Sequence, residues 1–371
     1  MREAGRSRLA AAKIHTGEQT QVRENTVTFD PEEGLIITGA LCLPEDASGT
    51  RPAPGIVLLG GTGGDTRDGD MAPERSPHSA DAPKRGLQRR LAHALAEVGI
   101  ATLRFDKRGC GESGGTADAS DYETDLVDNV AAVRYLRSCT EIDPARVGVC
   151  GHSAGAFNAC TVAREVPDIA CAGLLGALFG TIEELMEWNW GRVAAAWPTL
   201  SEERRAWLRA KRPRDVVGAF RTREFIAAAR RGDNTVRLEA EGVSVELDLV
   251  RFRQDMERPV AAEFRHVRCP ALVLHGGDDM NVHVEDALGT YRALREAGND
   301  RVDLVIVPGL DHSFQPLEGD SEKRLWDRFT LATMGRPVSP LAIHAVTDWA
   351  ARVLCAEVPP AQREASPGGR S

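Results

Sequence analysis

Short apolar runs recur along the chain, separated by longer stretches whose apolar residues return at helical spacing. Continuous apolar runs mark strands buried on both faces, and the stretches between them mark helices that cover those faces. The runs fall at 55–59, 101–105, 147–150, 169–175, 271–274 and 302–307. Segments 27–29 and 35–43, parted by the turn-forming Asp30, Pro31 and Gly34, read as an opening antiparallel hairpin. Helices are expected at 87–97, 125–137, 154–164, 284–297 and 341–353. On the fourth of these, Ala287, Tyr291 and Leu294 share one face, as packing on a sheet requires. The pattern predicts an α/β fold: a mostly parallel, twisted sheet with helices on both faces.

The alternation breaks at 179–263, which reads as a helical insertion with a small polar hairpin at 235–249 turning at Gly242. The expected organisation is a tail at 1–24, a core built from 25–178 and 264–357, the insertion, and a second tail at 358–371. Trp188, Trp190, Trp197 and Trp207 crowd into the insertion. They either pack it onto the core or line an apolar substrate pocket.

Composition narrows the classes open to such a fold. Of 371 residues, 42% are hydrophobic and 27% charged, as in ordinary globular proteins, and no apolar run approaches bilayer length. The net charge of −9 comes from interspersed acids and bases, so nothing marks a nucleic-acid surface. Arg204, Arg205, Arg209, Lys211, Arg212 and Arg214 read as a solvated helical face. The N-terminal stretch lacks the apolar core of a signal peptide, so a cytoplasmic location is expected. The eight cysteines form no C-x-x-C pair, and Cys150, Cys171 and Cys269 lie in or beside apolar runs, so free thiols are expected. No metal-binding spacing such as H-E-x-x-H occurs, and the expectation is no metal and no cofactor.

The chemistry concentrates at Gly151-His152-Ser153-Ala154-Gly155, directly after the run 147–150 and opening the helix 154–164. A serine on so tight a strand-to-helix turn has a strained backbone and a hydroxyl raised clear of the sheet, and the flanking glycines let strand and helix approach. At this point the chain resembles the α/β-hydrolase family. The resemblance implies an acid after a later strand and a histidine after the last one. After the run 271–274, Gly276-Gly277-Asp278-Asp279-Met280-Asn281-Val282 offers the acid, and the family pattern selects Asp279, with Asp278 as the alternative. After 302–307, Pro308-Gly309-Leu310-Asp311-His312-Ser313-Phe314 offers His312 as the base. One oxyanion donor is the amide of Ala154, the residue after the nucleophile. The loop Gly60-Gly61-Thr62-Gly63-Gly64 stands where the family places the other, and it points to Thr62.

Further pocket residues are expected at Gly61, His152, Trp188, Trp190 and Trp197. The stretch from Arg104 to Ser113 resembles a family loop that shapes the rim of the site, and 65–85 is expected to border the entrance. Similarity to capped bacterial esterases and peptidase-like hydrolases implies a 179–263 cap and cleavage of an ester, thioester or amide through an acyl-enzyme on Ser153. The same residues also serve eliminations, cyclisations or acyl transfers on this scaffold, which is the rival expectation. The expected partner is a small-molecule substrate, with no nucleic acid and no membrane; a homodimer is compatible with the chain.

Overall fold

The structure is a computed structural model and describes residues 22–62, 65–74, 83–117, 121–258 and 260–356. Most of both expected tails, and Gly63 and Gly64, lie outside the described residues. The core elements are, in order, β1 (Arg23–Glu32), β2 (Leu35–Leu43), β3 (Ala53–Leu59), α1 (Leu87–Glu97), β4 (Ala101–Phe105), α2 (Tyr122–Ser138), β5 (Ile142–His152), α3 (Ala154–Glu165) and β6 (Ala172–Leu175). Then come α4 (Ile182–Ala196), α5 (Glu202–Lys211), α6 (Pro213–Arg230), β7 (Thr235–Ala240), β8 (Val243–Asp248), α7 (Val250–Met256) and α8 (Val260–Glu263). The chain closes with β9 (Ala271–Gly276), α9 (Val284–Glu296), β10 (Val302–Val307), α10 (Ser321–Phe329) and α11 (Pro340–Leu354).

Eight strands form one sheet in the order β1-β2-β4-β3-β5-β6-β9-β10. The β1–β2 and β2–β4 pairs are antiparallel and every other pair is parallel. Every residue of β3, β4, β6 and β9 is buried, as strands covered on both faces must be. One face packs on α2, α3 and α9 through residues such as Val133, Ala159 and Leu294. The other packs on α1 and α11 through Leu91, Leu95, Val346 and Trp349. From β3 the chain steps to β4 on one side and then crosses to β5 on the other. That reversal opens a crevice at the carboxyl ends of the central strands, where ligands of such sheets bind.

The expected first tail ends early, because β1 pairs with β2 from Arg23 onward. The core strands stand where the apolar runs placed them, except that β6 begins only at Ala172, three residues into the run 169–175. β5 starts earlier than expected because its polar first half still pairs, Ile142 with Ala53. Helix α10 was absent from the expected elements. Its apolar residues, Leu325, Trp326 and Phe329, are few among charges, and it forms because they pack against α4, α5 and α6. The segment between β6 and β9 holds helices longer than expected, α4 and α6 above all. The first is started by a capping box between Thr181 and Glu184, and the second is kinked at Arg221. Its hairpin turns at Glu241 and Gly242, both at positive φ (51° and 77°), which suits a tight two-residue turn.

Candidate active site

Strand β5 ends at His152 and α3 begins at Ala154, so Ser153 alone makes the turn, at φ 57° and ψ −124°. Holding a non-glycine residue there costs on the order of 1–3 kcal/mol and persists only where the surroundings impose it. Here they do: Ser153 N donates to Leu175 O at 2.8 Å and Ser153 O accepts from Ala156 N at 2.9 Å. A methyl group at Gly151 would stand 1.8 Å from Gly155 O, and one at Gly155 would stand 2.3 Å from Leu59 O. Because the obstructing atoms are backbone, Gly151→Ala is expected to destabilise the fold by about 3 kcal/mol or more, read by urea unfolding. Wild-type stability in that variant would refute the close-approach account.

The acid loop leaves β9 at Gly276. Asp279 is buried, and its Oδ1 accepts from Asn281 N at 2.7 Å and Val282 N at 2.9 Å. Its Oδ2 lies 2.6 Å from His312 Nδ1 and 3.3 Å from His275 Nε2. Burial alone would raise the Asp279 pKa, but the charges and hydrogen bonds of His312 and His275 outweigh it and hold the carboxyl well below its ordinary range. Asp278 points elsewhere: it accepts from Gly309 N at 2.7 Å and pairs with Arg324 at 3.0 Å, tying the acid loop to the chain beyond β10.

His312 follows β10 on a loop pinned by Asp311, whose Oδ1 accepts from Ser313 N and Gln315 N. Its ring lies over Gly176, with Cε1 3.2 Å from where a β-carbon would stand. Ser153 N is bonded to Leu175 O, one residue before Gly176, so the end of β6 stands between Ser153 on one side and the His312–Asp279 pair on the other.

Ser153, Thr62 and Ala154 line a common cavity of about 110 Å³. Tyr122 and Phe157 form part of its wall from the core, and Ile182, Leu185 and Val260 from the segment between β6 and β9. None of these five was marked in the sequence, although Phe157 stands four residues after Ser153 on α3 and therefore on the same helix face.

The other expected pocket residues do different work. Gly61 is buried under the Ser153 turn, where a β-carbon would be 2.5 Å from His152 O and 2.7 Å from Ser153 Cβ. Its bare backbone lets Thr62 approach. His152 is buried and donates from Nε2 to His312 O at 2.7 Å, with the two rings 4.8 Å apart. Burial first, then the nearby His312 and Arg85, push its pKa well below the ordinary value, so it braces the His312 loop as a neutral ring. Trp190 packs edge-on against Phe225 and covers Gly218, and Trp197 is buried and donates to Glu241 at 3.0 Å. Trp188 stands under Arg192 and against His283, on a groove outside the acid loop rather than in the Ser153 cavity. His275 is a second imidazole on Asp279.

The loop from Arg104 to Ser113 is held by its own charges: Asp106 accepts from Arg67 and from Glu112 N, and Arg108 pairs with Asp128. Of the 65–85 stretch, Met71 and Arg85 line a second cavity beside His312, and 75–82 lie outside the described residues. All eight cysteines are free thiols. Among the described residues no helix is long and apolar enough to cross a membrane.

Such a sheet, with a strained serine on the turn after its central strand and an aspartate–histidine pair from later strand ends, defines an α/β hydrolase. The chain belongs to the Hydrolase_4 family (serine aminopeptidase, S33), which it matches over residues 85–319. It is 30% identical over 150 residues to an uncharacterized protein of Pseudomonas aeruginosa, a match covering 39% of this chain and 35% of that relative. The chain thus spans only about a third of that relative's length. Among solved structures it is similar to Est1E of Butyrivibrio proteoclasticus with bound ferulic acid, at TM-score 0.52 and 18% identity over 89% of this chain and 99% of that one. It is also similar to an esterase of Pyrococcus furiosus, at TM-score 0.50 and 17% identity over 90% and 91%. At such identities these two likenesses speak to the fold.

Proposed function

We propose that the chain is a serine hydrolase that cleaves a carboxylic ester, or a thioester or amide, of a small apolar acyl group. Ser153 Oγ attacks the carbonyl carbon while His312 Nε2 takes its proton. Asp279 fixes the imidazole with Nδ1–H toward itself and steadies the cation that forms. The amides of Thr62 and Ala154 hold the oxyanion. The tetrahedral species collapses, the leaving group departs with the proton from His312, and water repeats the sequence to free the acid.

The observation that carries this reading is the 2.6 Å contact of His312 Nδ1 with a buried Asp279, set beside a serine held at positive φ. The cavity volume of about 110 Å³ supports a small acyl group, since a cavity of about 150 Å³ takes a benzene ring. The segment 179–263 serves as a cap, an assignment supported by its contribution of Ile182, Leu185 and Val260 to the cavity wall. Labelling with a fluorophosphonate probe followed by peptide mapping tests the proposal. Modification is expected at Ser153 alone and absent from Ser153→Ala; labelling at another residue, or none in folded protein, would overturn it.

A further inference from the structure

Beside the Ser153 cavity lies a second one of about 240 Å³, with His312 in its wall. Three arginines line it, Arg85, Arg212 and Arg328. Two of the three have carboxylates close by. Arg85 donates to Ser313 Oγ at 2.7 Å and to Gly69 O at 2.9 Å, within the field of Asp70, Asp311 and Asp65. Arg212 stands 3.9 Å from Asp215 and donates to Phe329 O.

Arg328 differs. Its hydrogen bonds go to two neutral amide oxygens, Asn281 Oδ1 at 2.8 Å and Asn189 Oδ1. No carboxylate among the described residues lies within the 4.0 Å ion-pair distance of its guanidinium. The carboxylates that act on it from farther off are Asp215, which faces Arg212, and Asp279, whose oxygens already accept from two backbone amides and two imidazoles. Asp311, also in the wall, is turned to Ser313 N and Gln315 N. Arg328 is half-buried, and a guanidinium partly withdrawn from water without an adjacent counter-charge gains when an anion meets it; its planar fork matches a carboxylate. The remaining wall includes Met280, Phe329, Leu331 and Met334, which suits an apolar body bearing the anion better than a small hydrated ion.

We infer that this cavity receives a carboxylate-bearing portion of the substrate, with Arg328 as its counter-charge. The inference rests on the hydrolase reading for its link to turnover, because His312 lies in the wall of this cavity and its ring packs on Gly176, which lines the Ser153 cavity. The substrate is then bipartite: a small apolar group beside Ser153, and across the scissile bond a portion ending in a carboxylate.

Calorimetric titration of the full chain with benzoate, benzamide and inorganic phosphate tests the inference without turnover. Benzoate is expected to bind more tightly than benzamide by on the order of 10- to 100-fold, and phosphate to bind more weakly than benzoate. Arg328→Gln should erase the difference between benzoate and benzamide, and Arg328→Lys should keep part of it. Should Arg328→Gln not fold, Met280→Glu, which adds a carboxylate to the same wall, is expected to weaken benzoate at least about tenfold. Benzoate binding no tighter than benzamide or phosphate, or benzoate affinity unmoved in a folded variant, would overturn the inference. Because benzoate is not cleaved, its binding is independent of Ser153 labelling, and failure of one measurement leaves the other standing.

Discussion

Replacing Ser153 with alanine is expected to lower kcat/KM on any ester the chain cleaves by at least about four orders of magnitude, with the fold intact. The size follows from the chemistry: without Oγ no acyl-enzyme forms, and only binding and the Thr62 and Ala154 amides remain to assist attack by water. Stability should move little, because alanine keeps the β-carbon whose crowding at φ 57° is the source of strain. Ser153→Gly makes the complementary test. Glycine adopts positive φ freely, so this variant should be as inactive as Ser153→Ala yet more stable than wild type by about 1–2 kcal/mol in urea unfolding. An inactive glycine variant that is also less stable would mean the turn stores no strain. An active Ser153→Ala would remove the serine mechanism.

The parts of this site that were legible in the sequence are those fixed by a few consecutive residues. Gly151, Ser153 and Gly155 announce the turn because only glycine tolerates contacts of 1.8 and 2.3 Å with backbone at those two positions. The apolar runs announce β3, β4 and β9 because strands covered on both faces are mostly apolar, with Thr102, Arg104 and His275 the exceptions, and α1 follows from the spacing of Leu87, Leu91 and Leu95. Choosing Asp279 over Asp278 rested on resemblance alone. The structure gives the physical difference: Asp278 is turned to Gly309 N and Arg324, and Asp279 to two imidazoles.

What stayed illegible depends on how separate elements meet. Tyr122, Phe157, Ile182 and Val260 come from four helices, and no local pattern says that they share a wall. The tryptophans misled because a large apolar ring suits a pocket and a packing contact equally. Trp190 is explained by Phe225 and by the bare Gly218 beneath it, both far along the chain. The arginine run misled in a similar way. Arg204 and Arg209 do pair with surface glutamates, but Arg212, on the turn between α5 and α6, reaches Phe329 O and the wall of the second cavity.

Asp279→Asn should lower kcat by about four orders of magnitude while leaving the site assembled, and the reason lies in the other half of the carboxylate. Oδ1 accepts from the amides of Asn281 and Val282, and those two donors will hold the single oxygen of an asparagine in that place. The asparagine NH2 must then face His312 Nδ1, where Oδ2 now stands. An NH2 at that point makes Nδ1 the acceptor and puts the imidazole proton on Nε2, so the ring cannot take the proton of Ser153. The same group meets His275 Nε2, so a second favourable contact is lost as well.

The pH dependence of stability adds an independent check. Asp279 has its folded pKa held below the ordinary 3.8, so its stabilising contribution is complete above that value and fades as pH falls through it toward the folded pKa. The stability advantage of wild type over Asp279→Asn should therefore rise as the pH falls from neutrality, because, burial notwithstanding, Asp279 raises the pKa of His275, and then shrink below about pH 4, measured by urea unfolding at a series of pH values. An advantage that goes on growing below about pH 4 would mean that the carboxyl is protonated in the folded protein, and a kcat loss under tenfold would mean that His312 does not depend on Asp279 for its tautomer.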